Sequence, residues 1–375
     1  MGRSELASVE AWPNAFSQSR YYEILEDTIC PEFEYRYFAI KNKAGHICAV
    51  QPFFILDQDL LAGVGPRAKA FADGIRRFWP RFLTLRTLMV GCAAGEGHLY
   101  AVEPGARAGL AQILAASLST LARREKASLI LLKEFPALYR DSLSCFLSHG
   151  YSMMPSMPMT RLDITAYSSF DDYLSKAIKA KRRTEFRRKF KAAEQSSPIE
   201  LEVTCDADAA IDDMYALYEQ VFERSKLKFE KLTPSYFREI GRRMPDKARF
   251  FLWRQNGKLI AFSLCMVQGE TLYGEYLGLD YSVALKLHLY FTVMRDIISW
   301  AIANGFRSIV STSLGYGPKL QMRHVLEPLD LYLRHTSPLM NAFLRRVLPL
   351  LEPTRSDEML KSFPNYGDLW TAQST

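Results

Sequence analysis

The stretch KAIKAKRRTEFRRKFK, residues 176–191, holds nine Lys and Arg against a single Glu. Its net charge of +8 exceeds the +7 of the whole 375-residue chain, so everything else is close to neutral. A cationic excess confined to one segment reads as a docking patch for an anion rather than as a property of the whole surface. The anion is a nucleic acid, a membrane surface or a phosphate-bearing molecule. No helix-turn-helix or zinc signal accompanies the patch, which argues against DNA. As one helix, the segment puts Lys176, Lys179, Arg183 and Arg187 on one stripe and Lys181, Arg188 and Lys191 round the other side. Ile178 and Phe186 offer too little apolar surface for a membrane-inserting helix, and the bland alternative is a solvated basic helix. Arg182, Arg183 and Arg187 are the candidates for contact with the anion.

A second group lies in SLGYGPKLQMRH, residues 313–324, which carries Tyr316, Lys319, Arg323 and His324. Gly315 and Gly317 free the backbone on either side of the phenol, and Pro318 stiffens the approach to Lys319. One short loop can thus present a phenol and an ammonium, with Arg323 beside them as an anion contact and His324 as a further acid–base group.

The totals bound what these groups can belong to. Hydrophobic content of 48% and charged content of 24% are those of a soluble globular protein, with room for two domains. Cys30, Cys48, Cys92, Cys145, Cys205 and Cys265 are scattered, without a C-x-x-C or zinc spacing, so no metal site is expected and a reducing compartment is. The start, MGRSELASVEAWPNAF, has no apolar core of a signal peptide, and Leu6 stands where N-myristoylation needs Ser or Thr. With no apolar run of about 18 residues, the expected location is the cytoplasm. GCAAGEGH (91–98) resembles a phosphate loop, but no Lys-Ser/Thr follows and it reads as turn chemistry.

The elements that must position these groups form a repeat. FAIKNKAGHICAVQPFF (38–54) and FFLWRQNGKLIAFSLCM (250–266) are both hairpins, with Gly45 and Gly257 in equivalent turns. Asn256-Gly257 is a strong hairpin signal because both turn positions need positive φ. The second hairpin leads to the strand TLYGEYLGLD, a helix over 284–303 closed by Asn304-Gly305, and the strand FRSIVST. The first half echoes this with a helix over 106–124 and the strand ASLILLKEF. The α/β unit is therefore duplicated. GYSMMPSMPMTRLDI, with Pro155 and Pro158, is the junction, giving units at 1–154 and 155–337 and an amphipathic extension over 338–375.

A helix pair, a hairpin, a further strand, a long helix and a strand is the order of a GNAT (Gcn5-related) acyltransferase domain, and the doubled chain resembles the tandem-GNAT branch that includes the Fem-type aminoacyl ligases. The resemblance covers roughly residues 20–335, carried by DDYLSKAIKAKRRTEFRRKFKAAE, RFFLWRQNGKLIAFSLCMVQGETLYGEYLGLD and FRSIVSTSLGYGPKLQMRHVLEP. It implies an α/β (α+β) fold of two tandem GNAT-like domains, each a mixed twisted sheet flanked by helices. The second is expected to carry the chemistry and the first to shape the acceptor groove. It also implies an acyl thioester as co-substrate, on coenzyme A or an acyl carrier protein, with no tightly bound cofactor. Backbone N–H groups of Tyr276, Leu277 and Gly278 would polarise the thioester carbonyl, Glu275 would serve as general base, and Tyr316 as acid for the leaving thiolate. Lys319 matches a lysine position of the branch, as a phosphate or carboxyl contact at the reaction site.

One departure stands out. GNAT enzymes cradle the donor pyrophosphate in R/Q-x-x-G-x-G/A, whereas the position here reads DYSVALKLHL, with no glycine between Gly278 and Gly305. Ser282 as N-cap, Lys286 one turn in, and His288 (otherwise a core histidine) are the remaining donor contacts. The departure leaves an aminoacyl-tRNA in play as donor, and the Arg-rich helix also suits the acidic face of a carrier protein.

Two segments bear on the acceptor. GIRRFWPRFLTLRTLMVG (74–91) interleaves Arg with Phe, Trp and Leu, and LMNAFLRRVLPLLEP (339–353) is Leu-rich with Arg345 and Arg346. That interleaving suits an anionic bilayer interface, and also core segments whose arginines snorkel outward. On the interface reading the protein is peripheral on the inner membrane and the acceptor is a lipid-like amine; bacterial ceramide synthases, which acylate a sphingoid base, are acyltransferases of this general kind. The rivals are a Fem-type ligase acting on a cell-envelope precursor and a non-catalytic GNAT-like binding module.

Overall fold

The computed structural model describes residues 19–29, 33–59, 74–78, 84–101, 104–225, 228–313 and 315–371. The two hairpins form as the turn residues require. β1 (Glu34–Lys41) and β2 (Ile47–Asp59) turn at Gly45, with φ of +84°. In the second unit β7 is Ile199–Thr204, and β8 (Ala248–Gln255) turns into β9 (Lys258–Gln268) through Asn256 and Gly257, at φ of +52° and +77°. Both central positions are left-handed, which matches the twist of the flanking strands.

Each hairpin is followed by a strand, a helix and a parallel strand. In the first unit these are β3 (Thr84–Val90), the helix Arg107–Arg124 and β4 (Leu129–Pro136). In the second they are β10 (Thr271–Leu279), the helix Leu289–Ala303 and β11 (Ser308–Ser311). The duplication expected from the sequence is thus present as two mixed sheets flanked by helices.

The sheets do not divide the chain at a single point. β5 (Ser152–Pro155) ends the first sheet, and β6 (Met159–Asp163) enters the second beside β11. After β12 (Val325–Glu327), which pairs with β6, the chain crosses back, and β13 (Leu329–His335) is laid between β4 and β5. The first sheet runs β1-β2-β3-β4-β13-β5 and the second β12-β6-β11-β10-β9-β8-β7. A strand that the sequence assigns to the second unit (155–337) thus completes the first unit's sheet. The end of the chain returns too, with Leu360, Phe363 and Leu369 packed on Met157, Tyr316 and Leu326.

Three helices seal the junction. α1 (Ser19–Thr28) contributes Tyr21, Tyr22 and Leu25 to one core with Met214 and Leu217 of α5 (Ile211–Arg224), Phe237 and Ile240 of α6 (Pro234–Arg243), and Phe262 of β9. Here α2 is Arg107–Arg124, α7 is Leu289–Ala303, and α3 and α4 divide the basic segment. Each large apolar side chain buried there contributes about 1.5–3 kcal/mol to holding the halves together.

Two expectations are corrected. The basic segment is not one helix: α3 (Phe170–Ala177) stops, Ile178 and Lys179 are extended, and α4 (Ala180–Ser196) begins. The stripe from Lys176 to Arg187 therefore does not exist. The helix expected from 284 starts at Leu289, because 281–288 are coiled into turns. Among the described residues no helix is long and apolar enough to cross a membrane.

Candidate active site

The site begins where β10 and β11 part. Their pairing runs from Thr271–Ser308 to Gly274–Ser311 and stops, while β10 continues along β9 to Leu279. At the parting point the register against β9 slips between Gly274 and Tyr276, so Glu275 is the extra residue of a bulge. Bulges re-aim side chains and interrupt pairing, which is what a reaction cleft at a sheet edge requires. Tyr276, Leu277 and Gly278 follow on the edge that β11 has left. Only glycine fits at 278, where a Cβ would lie 2.2 Å from the Phe262 ring and 2.8 Å from Leu217.

The Glu275 side chain is 8% exposed, and its carboxylate has no hydrogen-bond partner among the described residues. Burial, then the negative charges of Glu96 and Glu230, push its carboxyl well above the ordinary range. On the other side of the gap, Thr312 donates its amide to Gly274 O (3.3 Å) and its hydroxyl to Glu275 O (3.5 Å). The Thr312 carbonyl accepts from Lys319 Nζ at 2.5 Å. Lys319 is buried on α8 (Tyr316–Gln321), and burial brings its ammonium down to about 7.

The rest of SLGYGPKLQMRH is placed differently from expectation. Tyr316 starts a short helix rather than a cleft-facing loop; its buried hydroxyl donates to Pro158 O at 2.8 Å, and its ring meets Phe363 edge-on. A phenol committed to that carbonyl inside a satellite core is not presented to a thiolate. His324 is buried, both ring nitrogens lack hydrogen-bond partners among the described residues, and burial followed by the Lys319 charge lowers it to about 3. It is neutral near pH 7. Arg323 is exposed, with φ of +63°.

The turn before α7 accounts for the missing glycines. Asp280 Oδ1 accepts from the Ser282 amide (2.9 Å) and hydroxyl (2.5 Å), and Lys258 Nζ donates to Oδ2 at 2.7 Å. Ser282 therefore serves Asp280 and is not the cap of α7. The residue at the cap is His288, left-handed at φ of +48°, whose carbonyl accepts from Phe291 and Thr292. Leu289 donates to Ala284 O and Leu287 to Val283 O. The amides of Val283, Ala284, Leu287, His288 and Leu289 donate within the turn itself and are not open to a pyrophosphate.

Cations surround this turn instead. Lys286 is exposed beside Leu285, which is 85% exposed. Arg224 of α5 stacks 4.1 Å from the Tyr281 ring centroid. From α4, Lys189 lies 4.0 Å over Phe291, and the charges of Lys189 and Arg188, after burial, lower His288. Arg182 is paired with Glu185, and Arg183 donates to Ser175 O (2.9 Å) at the end of α3. Arg187 and Arg188 are exposed, and the charge of Arg188, which the sequence did not single out, acts on His288 in the turn.

The first unit also supplies charged groups that the sequence did not reveal. GCAAGEGH forms the loop after β3 and is pressed onto β4: a Cβ at Gly97 would lie 2.5 Å from the Phe135 ring and 2.6 Å from Lys133 O. The loop holds Glu96, which meets His98 at 3.3 Å; His98 Nδ1 lies 3.2 Å from the Tyr139 hydroxyl. Lys133 pairs with Glu134 and donates to Gly95 O. From the second unit, Glu230 accepts from the Tyr276 hydroxyl at 3.0 Å, while Phe229 beside it packs on Phe33 and under Lys133. The signal was available in the Glu and His of GCAAGEGH, but nothing in the sequence brought that loop to Glu275.

Residues 180–314 match the family model of the Acetyltransferase (GNAT) domain. Among solved structures, FemX superposes with a TM-score of 0.54 at 12% identity, covering 88% of this chain and 96% of that one. L-PGS from Bacillus licheniformis gives 0.54 at 10% identity over 93% and 100%. The C-terminal domain of a putative lysylphosphatidylglycerol synthetase from Agrobacterium fabrum gives 0.53 at 10% identity over 94% and 96%. The chain has a tandem GNAT acyltransferase-like fold. In sequence it is 23% identical over 350 residues to a putative 8-amino-7-oxononanoate synthase 2 of Mycobacterium tuberculosis. That match takes in 90% of this chain and 45% of the relative, so the chain spans about half the length of the protein it resembles.

Proposed function

We propose that the chain is an N-acyltransferase that moves an acyl group from a thioester to a primary amine on a lipid-like molecule. The observation that carries this is Glu275: a buried carboxylate without a hydrogen bond, on a bulge, where two parallel strands separate. An amine arrives as an ammonium and must lose a proton before it attacks. A carboxyl raised by burial and like charge is a stronger base than a solvated one. The nitrogen attacks the thioester carbon, the oxygen becomes an oxyanion, and backbone N–H groups on the freed edge over 276–278 stabilise it. Collapse breaks the C–S bond, Lys319, at about 7, gives its proton to the thiolate, and the nitrogen's remaining surplus proton returns to the Lys319 amine so that a neutral amide leaves.

The donor is met at the turn before α7. With most amides of that turn internally used, the exposed Arg187, Arg188 and Lys286 are the groups that contact donor phosphates, on coenzyme A or on the prosthetic arm of an acyl carrier protein. The same lack of a pyrophosphate cradle favours a second reading, a Fem-type ligase that takes aminoacyl groups from tRNA. For the acceptor, the partial match to a synthase of 8-amino-7-oxononanoate supports a primary amine on a carbon chain, of which a sphingoid base is one example. The helix α9 (Pro338–Leu351) adds to this: Leu339, Phe343 and Leu350 are exposed on one stripe, with Arg345 and Arg346 beside them, as a face lying on an anionic bilayer would be. The part of 74–91 that shared this reading lies partly outside the described residues; within it, Leu88, Met89 and Val90 are core.

The test is to supply purified protein with palmitoyl-coenzyme A, a palmitoylated carrier protein or charged tRNA, each with sphinganine, and to look for the amide by mass spectrometry. Amide from a thioester supports the proposal. Amide from charged tRNA alone transfers it to the ligase reading.

A further inference from the structure

Resting on the acyl-transfer reading, we propose that the face formed by α4 and the turn before α7 docks an acidic carrier protein, which delivers its acyl chain as the thioester of a phosphopantetheine arm. The turn, 281–288, leaves the end of β10, so a partner seated on it stands beside the cleft where β10 and β11 part. Rings fix α4 against the start of α7: Phe186 meets Phe291 at 5.5 Å, and Lys189 Nζ lies 4.0 Å over Phe291. α5 is tied to the turn as well. Gln220 Oε1 accepts from the Tyr281 amide at 3.1 Å, and Arg224 lies 4.1 Å over the Tyr281 ring.

The charge on this face is not offset from within the chain. Lys181, Arg187, Arg188 and Lys191 are exposed along the side of α4 that faces away from Phe186 and Phe190. Neither they nor Lys286 and Arg224 have an ion pair among the described residues. Glu185, Glu219, Glu223 and Asp280 do not serve them, since each is held by a different lysine: Lys189, Lys231, Lys228 and Lys258. Cations with spare charge complement an acidic surface and steer it in from solution.

Leu285 decides between occupants. It is 85% exposed within the turn, next to Lys286. A phosphate gains nothing from such a side chain, and the amides closed within the turn offer little to the pyrophosphate of coenzyme A. A carrier's arm hangs from a single serine phosphodiester and needs no pyrophosphate cradle. An exposed leucine among cations is what a protein interface uses, an apolar centre with a charged rim. The stripe from Lys181 to Lys191 runs about 15 Å at about 1.5 Å per residue, which a protein surface spans and one phosphate group does not. Unpaired bases of a tRNA would stack on open rings, but Tyr281 and Phe291 are covered by Arg224 and Lys189.

The experiment gives the full chain sphinganine with either palmitoyl-coenzyme A or a palmitoylated bacterial acyl carrier protein, in wild type, Leu285→Asp and Arg188→Glu. Both changed side chains are exposed, so folding is not at stake. KM for the carrier thioester should lie below that for palmitoyl-coenzyme A and rise with salt. Leu285→Asp should raise it at least tenfold while KM for palmitoyl-coenzyme A stays within twofold. Calorimetry with the carrier bearing its arm but no acyl chain should show binding that weakens at least tenfold in both variants. A KM for palmitoyl-coenzyme A equal to or below the carrier's overturns the proposal, as does a Leu285→Asp change that moves both KM values alike or neither. Binding of uncharged tRNA in place of the carrier also overturns it and gives the face to the ligase reading. If the carrier binds with this dependence but no donor yields amide, the docking face stands and the acyl-transfer reading falls. If both donors yield amide and carrier binding ignores both variants, the docking face falls and acyl transfer stands.

Discussion

Glu275 and Lys319 are joined through Thr312: its hydroxyl donates to the Glu275 carbonyl and its own carbonyl accepts the Lys319 ammonium. The proposed base is on the strand that continues and the proposed acid is carried from the strand that ends, with Thr312 linking the two across the cleft.

That pairing predicts a bell-shaped pH profile. Glu275 must be ionised, so kcat/KM should rise with pH through its raised value. Lys319 must be protonated, so the rate should fall above about 7. Lys319→Met should abolish the alkaline limb and lower kcat on the order of a hundredfold. The fold responds with the opposite economy. Between about 7 and the ordinary 10.5 the folded chain binds fewer protons at Lys319 than the unfolded chain, so this group makes stability rise with pH across that window. Urea unfolding at pH 7 and 9.5 should show the rise in wild type and its loss in Lys319→Met.

The arginines of α4 should separate by role. Arg183 donates to Ser175 O and so closes α3; Arg183→Gln should cost about 1 kcal/mol in urea unfolding with little change in KM for the thioester. Arg187 and Arg188 are exposed, so the double change to Gln should leave stability within about 0.5 kcal/mol. It should raise KM for the thioester several-fold, more at low salt than at high. An unchanged KM would return both to a solvated face.

The duplicated unit was legible because hairpin turns and helix periodicity are local signals: Asn256-Gly257, Gly45 and the first long helix stand where they were expected, and the second long helix follows its strand but begins at Leu289 rather than 284. The crossing of β13 was not, since a strand's alternation does not say which sheet receives it. The break at Ile178 escaped notice because no Gly or Pro marks it; Ser169 caps α3, and Arg183 closes it from the next helix. At the site, Glu275 could be found from its strand, but Glu96 and Glu230 come from loops distant in sequence, joined by the packing of Tyr21, Tyr236 and Tyr276 and by Lys133, which donates to Gly95 O and lies over Phe229.

The crossing strand should be a point of weakness. Arg140 makes paired bonds to Asp330 of β13 at 2.6 and 2.8 Å and donates to Leu369 O at 2.7 Å, tying the exchanged strand and the chain's end to the first unit. Both side chains are nearly buried, so Arg140→Ala leaves a carboxylate stranded and should cost about 3–5 kcal/mol in thermal or urea unfolding. Adding Asp330→Asn removes the stranded charge and should recover part of the loss, which a purely steric effect would not.

Tyr316→Phe tests whether proximity in sequence misled. Tyr316 lies three positions before Lys319, and a phenol there suits a leaving thiolate. In the structure its hydroxyl is buried and donates to Pro158 O, at the crossing between the sheets, while its ring packs on Phe363. Removing the hydroxyl leaves a buried carbonyl short of one donor, so stability should fall by about 1–2 kcal/mol. The reacting atoms lose nothing, so kcat should stay within about twofold while Lys319→Met loses most of it. A hundredfold fall in kcat at unchanged stability would show that the phenol reaches the thiolate after all, and that the α8 segment turns outward when the donor binds.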